Sequence, residues 1–290
     1  MQHKKTPKRK TKHIVLLSLA LILLGLVLWT AWGNSALELN MYTITSETLP
    51  EAFSGYRIAQ VSDLHNAELG SSNRKLLDML RAAEPDLIVL TGDLIDSYDT
   101  DIKLALAFVE EAVKLAPCYF ITGNHESRLS AADYAVLEAG LTEAGVTVLH
   151  DSQILLERGG QQVSLVGIDD PAFAEKYGGV GASMDPEAIR DLSTTEGFTI
   201  LLSHRPEFFR QYVEAGIDLV FSGHAHGGQT RLPFLGGLFA PGQGLFPAYD
   251  AGLYSEDQTT LVVSRGIGNS LFPFRFNNRP EVILIELQRA

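Results

Sequence analysis

Cysteine is nearly absent from the sequence. The 290 residues include one, Cys118, which lies in an apolar run. A single cysteine excludes an intrachain disulfide and a thiolate metal cluster. In apolar surroundings a lone cysteine is expected to be a buried core thiol. Any metal bound by this chain must therefore be held by nitrogen and oxygen ligands.

Basic residues are scarce outside the N-terminal tail. The chain has 23 Lys and Arg against 35 Asp and Glu, and six of the basic residues lie within residues 1–13, which leaves 17 basic against 35 acidic in the remainder. Such a body lacks the basic patch that nucleic-acid binding requires, so no nucleic acid is expected as a partner. An acidic protein that handles phosphate needs positive charge from elsewhere, and bound metal ions are the usual source.

One long apolar stretch is present, at residues 14–33, and it carries no charge. Its length suits a helix that crosses the hydrocarbon region of a bilayer. The basic residues of 1–13 precede it, the first basic residue after it is Arg57, and Trp29 and Trp32 lie where an interfacial belt is expected. The positive-inside rule then predicts a cytoplasmic N-terminus and an extracytoplasmic body, in a single-pass protein of the cell membrane.

This interpretation divides the chain into a tail, an anchor helix, a linker at residues 34–50 and one globular domain at residues 51–290. The alternative is a cleaved signal peptide, for which residues 33–35 offer a cleavage site. The apolar stretch is longer than the roughly 7–15 residues of a signal peptide, which favours the retained anchor.

From residue 56 onward, short apolar runs alternate with amphipathic stretches. The pattern predicts strands at 56–63, 86–93 and 118–125, with helices at 71–83 and 101–115 between them. A βαβαβ order implies parallel strands joined by right-handed crossovers. Functional groups are then expected just beyond the carboxyl ends of the strands.

The second half of the domain continues with a helix at 131–144, another entered at Asp185-Pro186, and several more strands. The predicted strands are 146–149, 153–158, 162–168, 198–204, 218–226, 259–265 and 281–287. This number of strands fits two stacked sheets flanked by helices, so the predicted fold class is α/β, a four-layer α-β-β-α sandwich of two mixed sheets.

Polar clusters end five of the predicted strands. They are Asp63-Leu64-His65, Gly92-Asp93-Leu94-Ile95-Asp96, Gly123-Asn124-His125-Glu126, His204, and Gly223-His224-Ala225-His226. Any one of them is a weak signal, because a strand often ends in a polar cap. Of the eight histidines, however, two lie in the tail, five fall in these clusters and only His150 remains, which indicates a shared site.

Carboxylate, imidazole and carboxamide ligands without thiolate suit divalent transition ions such as Mn, Fe, Zn or Ni. Seven such groups are too many for one ion, so two ions that share a carboxylate are expected. A pair of ions about 3.5–4 Å apart stabilises the attacking and leaving oxygens of an in-line displacement at phosphorus.

The order D-x-H, G-D-x-x-D, G-N-H-E, H, G-H-x-H resembles that of the calcineurin-like metallophosphoesterases. The resemblance spans residues 56 to about 287, nearly the whole globular part. The runs at 224–229 (HAHGGQ) and 264–269 (SRGIGN) are most similar to the membrane-associated bacterial branch of the family.

The resemblance implies a role for each ligand by position, with a hydroxide between the two ions as nucleophile. The implied metal ligands are Asp63, His65 and His226 for one ion, Asn124, His204 and His224 for the other, and Asp93 as the bridge.

The resemblance also implies that His125 binds no metal and acts beside the phosphate, either stabilising the transition state or protonating the leaving oxygen. Asp96 either orients His125 or is an ordinary loop carboxylate. Glu126 is expected to be structural. Thr122 and Ser97 stand where related protein phosphatases have arginines, so a phosphoprotein substrate is disfavoured.

The function implied is hydrolysis of a phosphomonoester or phosphodiester on an envelope-associated substrate, with a lipid-linked compound as one candidate and no obligate protein partner inferred. A specific alternative is pyrophosphate hydrolysis of a nucleotide-linked acylated sugar, as in UDP-2,3-diacylglucosamine hydrolases. It conflicts with the predicted topology, because nucleotide sugars are cytoplasmic. A non-catalytic metal-binding scaffold is the alternative of another class, although scaffolds tend to lose ligands and none is missing here.

Residues 230–254 are apolar yet rich in Gly and Pro, which predicts an irregular loop directly after His226. The loop either packs on the domain or forms a lid that admits a lipid tail. Arg128, Arg205 and Arg265 are candidates for contacting substrate phosphate, with surface salt bridges as the alternative.

Overall fold

The computed structural model describes residues 8–193, 197–269 and 272–290, so the first seven residues of the predicted tail lie outside the described residues. Helix α1 covers Lys8–Ser35 and extends beyond the predicted 14–33 at both ends. Within the described residues, one helix segment, 12–35, is long and apolar enough to cross a membrane, and no residue of its most apolar part is buried.

The first sheet has six strands in the order β1-β16-β2-β3-β4-β5. Its members are β1 (Glu38–Ser46), β2 (Arg57–Val61), β3 (Leu87–Thr91), β4 (Cys118–Ile121), β5 (Thr147–Val148) and β16 (Glu281–Arg289). Strands β2 to β5 run parallel and β16 runs antiparallel to β2.

Four helices connect or follow strands of this sheet, and a fifth, α6, follows strand β7 of the second sheet (Gln161–Gly167). They are α2 (Arg74–Ala83), α3 (Ile102–Ala112), α4 (Asn124–Arg128), α5 (Ala131–Ala144) and α6 (Pro171–Tyr177). Helices α2 and α3 are the crossovers of the predicted βαβαβ unit. Asp101 begins α3 by accepting a hydrogen bond from the Leu104 backbone N–H, and Ser130 begins α5 in the same way with Asp133.

The second sheet also has six strands, in the order β14-β15-β9-β8-β7-β6. Its members are β6 (Ser152–Arg158), β7 (Gln161–Gly167), β8 (Thr199–Leu202), β9 (Leu219–Ser222), β14 (Gly252–Glu256) and β15 (Thr259–Val263). The four central strands are parallel and each edge strand is antiparallel to its neighbour. Helices α7 (Pro186–Leu192) and α8 (Phe209–Ala215) pack on its outer face.

Three hydrophobic clusters define the layers. One packs the helices α2, α3 and α5 against the first sheet, a second lies between the two sheets, and the third packs α7 and α8 against the second sheet. Strand β3 is buried along its whole length, as expected of a parallel strand covered on both faces. The predicted α-β-β-α sandwich of two mixed sheets is confirmed.

Residues 34–50 differ from the linker that the sequence predicts. Residues 38–46 form β1, which pairs in parallel with β16 along nine consecutive positions. In this edge strand only Ile44 is fully buried. The segment therefore lacks the apolar run that marks the central strands, and its pairing partner is more than 230 residues away in sequence.

The loop at 230–254 is more regular than predicted. It contains two short hairpins, β10 (Arg231–Leu232) with β11 (Gly236–Gly237) and β12 (Phe239–Ala240) with β13 (Gly244–Leu245). The loop is partly folded on the domain, because Ala240 is fully buried and Asp250 accepts a hydrogen bond from Arg231. The last three residues of the predicted loop, 252–254, are part of strand β14.

Candidate metal centre

The predicted metal ligands meet where the two sheets present the carboxyl ends of their parallel strands. All seven are buried, and each follows a strand directly: Asp63 and His65 after β2, Asp93 after β3, Asn124 after β4, His204 after β8, and His224 and His226 after β9. The two sheets pack face to face, so loops far apart in sequence share one edge of the sandwich.

The first group of side chains comprises Asp63, His65, Asp93 and His226. One ligand atom from each lies within 4.8 Å of the others. His65 Nε2 is 3.2 Å from His226 Nε2 and 3.6 Å from Asp93 Oδ2. His226 Nε2 is 3.4 Å from Asp63 Oδ1. Two imidazole nitrogens and two carboxylates thus converge on a space suited to one cation.

The second group comprises Asp93, His204 and His224. His204 Nε2 lies 3.2 Å from Asp93 Oδ2 and 3.2 Å from His224 Nδ1. Asp93 is therefore common to both groups, and the same oxygen, Oδ2, faces a histidine on each side. A carboxylate in this position is placed to join two cation sites.

The donor set fits divalent cations. The Nδ1 of His204 is 2.7 Å from the Thr91 carbonyl oxygen, which can only accept, so the proton is on Nδ1 and the Nε2 lone pair faces the group. The Oδ1 atom of Asn124 is buried without a hydrogen-bond partner among the described residues. An unpaired buried carbonyl oxygen is costly unless a ligand meets it.

The electrostatics of the site also favour bound positive charge. Burial raises the pKa of Asp63 to about 6. Burial lowers the pKa of His65 to about 3 and that of His226 well below its usual value, which keeps these rings neutral as metal binding requires. For His204, burial lowers the pKa but the neighbouring Asp93 and Asp63 carboxylates outweigh it and raise the pKa to about 10. These carboxylates therefore favour a positive charge at this point, which a cation bound to Nε2 would supply in place of a proton.

Five of the seven predicted ligands have a left-handed backbone. Their φ angles are 50° at Asp63, 46° at His65, 52° at Asp93, 63° at His224 and 48° at His226. This conformation is uncommon for non-glycine residues and costs on the order of 1–3 kcal/mol each. The surrounding packing must impose it, which is typical of functional sites.

Two glycines allow the strand ends to approach each other closely. A Cβ atom on Gly123 would overlap the Asp93 carboxylate and lie 2.5 Å from the Asp93 backbone nitrogen. A Cβ atom on Gly223 would overlap Ser62 and the Asp63 carboxylate. The G-N-H-E and G-H patterns therefore use glycine because neighbouring ligand loops pack directly against its Cα.

Glu126 is fully buried and connects two of these loops. Its carboxylate accepts hydrogen bonds from the backbone N–H groups of Gly123 (2.7 Å), Leu94 (2.8 Å) and Asp93 (2.9 Å). It touches neither the cavity nor a ligand atom of the two groups. Its contacts agree with the structural role expected from the sequence.

His125 lies beside the first group, with its ring 4.4 Å from that of His65. The Ser97 backbone N–H donates to His125 Nδ1 at 3.0 Å, which favours a neutral ring with its proton on Nε2. Arg128 Nη1 is also a donor and lies 3.2 Å from this Nε2, so the two contacts favour opposite tautomers. Asp96 Oδ1 is 3.5 Å from the same Nδ1 and accepts a hydrogen bond from the Tyr98 N–H at 2.8 Å. No pattern in the sequence indicates the contact between His125 and the Ser97 N–H.

A cavity of about 220 Å³ opens on the two groups. Arg128 and Arg205 line its polar part, and Arg128 Nη1 is 3.2 Å from His125 Nε2. Arg205 is held by Asp170, with Nε 2.6 Å from Oδ2. The third candidate, Arg265, does not line the cavity and pairs with Glu281 at 2.7 Å.

Arg275 is a buried residue near the site that sequence reasoning missed. Its side chain donates to the carbonyl oxygens of Arg265 and Gly268 at 2.5 Å, and its Nη2 lies 3.4 Å from His226 Nδ1. Its backbone exchanges two hydrogen bonds with Asn34 at the end of α1. No local pattern distinguishes this arginine from others in the sequence.

Comparisons with known proteins agree with the geometry. The family model described as "Calcineurin-like phosphoesterase" matches residues 56–228. The chain is 30% identical over 258 residues to the metallophosphoesterase YkuE of Bacillus subtilis, covering 87% of this chain and 86% of the relative. It is 32% identical to "Phosphodiesterase YaeI" of Escherichia coli, covering 70% and 71%.

A "Transmembrane protein with metallophosphoesterase domain" of Danio rerio is 34% identical and covers 85% of this chain, which spans 56% of that relative. Among solved structures, the sulfate thiohydrolase SoxB of Thermus thermophilus superposes with a TM-score of 0.51 at 13% identity. That match covers 76% of this chain and 53% of SoxB, and it supports the fold alone.

Proposed function

The chain belongs to the calcineurin-like phosphoesterase family, and from that premise we propose that it is a membrane-anchored hydrolase that cleaves a phosphomonoester or phosphodiester with two divalent cations. The observation that carries the proposal is the position of Asp93, which is shared by two separate groups of buried ligands. The relative named a phosphodiesterase supports the diester as a substrate.

Two divalent cations held by the predicted ligands would neutralise charge on the phosphate oxygens and lower the pKa of a bound water. The chain's own groups then position and protonate the substrate. Arg128 and Arg205 bind the phosphate oxygens that do not react. A water oxygen forms the new bond to phosphorus while the P–O bond to the alcohol breaks.

His125 supplies the proton for the leaving alcohol. Its Nδ1 accepts from the Ser97 N–H, which favours a proton on Nε2 that can be donated towards the cavity. Arg128, whose Nη1 is 3.2 Å from this Nε2, would then direct its N–H groups to the phosphate instead of to the ring. Asp96 is 3.5 Å from Nδ1 and is placed to stabilise the ring when both nitrogens carry protons. A scaffold without activity has no need of this arrangement beside a complete ligand set.

We place the catalytic domain outside the cytoplasm, with α1 as a retained single-pass anchor. The six basic residues of the tail support a cytoplasmic N-terminus. The hydrogen bonds between Asn34 and the backbone of Arg275 support retention, because they join the end of α1 to the domain at the point where a signal peptidase would cut.

The test uses the full chain, purified in detergent and reconstituted with Mn²⁺. Elemental analysis should find about two ions per chain, and a panel of phosphomonoesters, phosphodiesters and pyrophosphates should reveal hydrolysis. His125→Ala should keep both ions and lower kcat by about 10²–10⁴-fold, whereas the matched change His150→Ala should alter neither. A chain that hydrolyses no phosphoester, or whose activity is independent of metal, would refute the proposal.

A further inference from the structure

The cavity over the metal centre has one polar side and one apolar side. The apolar side is lined by Phe239, Pro241 and Phe272. Phe239 is 43% exposed and Phe272 is 55% exposed, so both extend past the rim. The cavity of about 220 Å³ is smaller than the roughly 300–1,000 Å³ of a typical ligand pocket. A substrate larger than the cavity extends beyond it, and on the apolar side it would continue over these side chains.

The apolar surface continues from Phe272 to the membrane helix. Phe274 follows two residues later, so the two Cα atoms are at most about 7 Å apart. Phe274 and Pro273 line a separate groove of about 530 Å³, whose opposite wall is formed by Leu26 and Val27 of α1. An apolar path through Phe272 and Phe274 thus leads from the metal centre towards the surface of the anchor.

The position of Leu26 along α1 indicates the depth of this groove. Trp29 and Trp32 are the residue type found at the interface between membrane and water, and the Arg279 guanidinium lies 5.1 Å from the Trp32 ring centroid. Leu26 precedes these tryptophans by three and six residues, which at a rise of 1.5 Å per residue is about 4–9 Å deeper in the bilayer. The groove beside Phe274 therefore opens at the level of the acyl chains.

The segment that carries these two phenylalanines is fixed at both sides. Gln229, three residues after the predicted ligand His226, donates from Nε2 to the carbonyl oxygens of Phe272 (3.3 Å) and Phe274 (2.8 Å). On the other side, the side chain of Asn34 in α1 bonds the backbone of Arg275, the residue after Phe274. Asn34 Nδ2 donates to the Arg275 carbonyl oxygen and Asn34 Oδ1 accepts from the Arg275 N–H, both at 2.7 Å. The path from site to anchor is thus part of the folded domain.

We propose that the substrate is a phosphoester that carries a long hydrocarbon chain and is taken from the leaflet next to the domain, with its chain lying along Phe272 and Phe274. This inference rests on the proposed hydrolase function. The reaction is the same hydrolysis: water oxygen bonds to phosphorus, one P–O ester bond breaks, and the departing oxygen takes a proton.

The residues that line the groove indicate which kind of molecule occupies it. The apolar part of α1 is uncovered by protein among the described residues, so lipid chains surround it in a membrane. A soluble protein partner would have to displace these lipids to reach Leu26 and Val27. A hydrocarbon chain already in the leaflet reaches them without such a step, and exposed apolar surface of this kind marks a binding site.

The experiment compares two synthetic diesters that differ only in the retained alcohol, methyl p-nitrophenyl phosphate and hexadecyl p-nitrophenyl phosphate. Both release p-nitrophenolate, so the chemistry is the same. The full chain is reconstituted in phosphatidylcholine vesicles with Mn²⁺, and the ratio of kcat/KM for the long ester to that for the short ester is measured. We expect a ratio well above one, which falls at least tenfold in Phe274→Ser and recovers in Phe274→Leu.

Val136→Ser is the matched control, because Val136 is an exposed apolar residue of α5, 59% accessible and outside the path. Its ratio should equal that of the unchanged chain. Equal hydrolysis of the two esters would overturn the inference and leave the hydrolase function intact. No hydrolysis of either ester would overturn the inference, and it would refute the function itself if the panel of phosphomonoesters, phosphodiesters and pyrophosphates were not hydrolysed either. An equal fall on both esters in Phe274→Ser would also overturn the inference, since Phe274 would then serve only to seat the domain on the bilayer.

Discussion

The contact between Gly123 and Asp93 gives a sharp test of the metal centre, because a single added methyl group must move a predicted ligand. In Gly123→Ala the new Cβ would lie 2.5 Å from the Asp93 backbone nitrogen. Ordinary contacts of a Cβ atom begin near 3.4 Å. The φ of Gly123 is −109°, which alanine adopts freely, so the effect of the change is steric only.

Relief of the contact requires a displacement of about 0.9 Å between the two loops, and rotation of a side chain cannot provide it because backbone atoms meet. Productive sites tolerate about 0.5 Å, and a misplacement of about 1 Å costs on the order of 10²-fold in rate. Overpacking of this kind also destabilises by about 1–3 kcal/mol. We therefore expect Gly123→Ala to lower kcat/KM by about 100-fold and to weaken metal binding.

The assay measures kcat/KM on a soluble phosphodiester, metal content after dialysis, and the free energy of unfolding in urea. Gly145→Ala is the control, since a Cβ there meets nothing within 4 Å although φ is +96°. Gly145→Ala should lower the free energy of unfolding by about 1 kcal/mol and leave the activity and the metal content unchanged. If Gly123→Ala keeps its metal and retains kcat/KM within a factor of about three, the positional argument for Asp93 is wrong.

Three further predictions concern charge. Arg128→Gln should lower kcat/KM by about 10–100-fold with metal retained, because a hydrogen bond to a charged phosphate contributes about 1.5–3 kcal/mol; an unchanged rate would remove Arg128 from substrate binding. The hydrogen bond to Asp169 raises the pKa of His150 in the folded protein above its value in the unfolded chain. The protonated ring therefore contributes its full stabilisation of the fold below the unfolded-state pKa, and this contribution is lost as the pH rises through the folded-state pKa. Urea unfolding of His150→Asn should therefore show a larger loss of stability at acidic than at alkaline pH, and an equal loss at both would contradict this. Chelation by EDTA should abolish hydrolysis and lower Tm, because the buried carboxylates of Asp63 and Asp93 lose their counter-charge, and Mn²⁺ should restore both; an unchanged Tm would show that no ion is held there.

Much of the fold could be read from the sequence because its central strands are buried on both faces. Strands β3 and β4 appear as apolar runs that end in polar residues, and in the structure they end at Thr91 and Ile121, two and four residues before the predicted ends at 93 and 125. The position of the site follows from the same feature, since parallel strands bring their carboxyl ends to one edge. The pairing of each ligand with an ion came from the family resemblance.

The remainder depends on contacts between distant residues. In strand β1 only Ile44 is buried, so the strand lacks the apolar pattern that would predict it. It forms because it pairs with β16. The burial of Arg275 depends on hydrogen bonds to carbonyl groups of a loop and to Asn34. No local sequence pattern predicts these contacts. The contact of His125 with the Ser97 N–H likewise arises from loop geometry.

The parallel pairing of β1 with β16 has a consequence for synthesis. The strand that emerges directly after the membrane helix has β16 as its sheet neighbour, and β16 begins only at Glu281. During synthesis the chain therefore keeps an unpaired strand edge next to the N-terminal helix until nearly all of it has been made. Products that stop before Glu281 expose this edge to aggregation, so quality control should remove them more readily than chains shortened elsewhere.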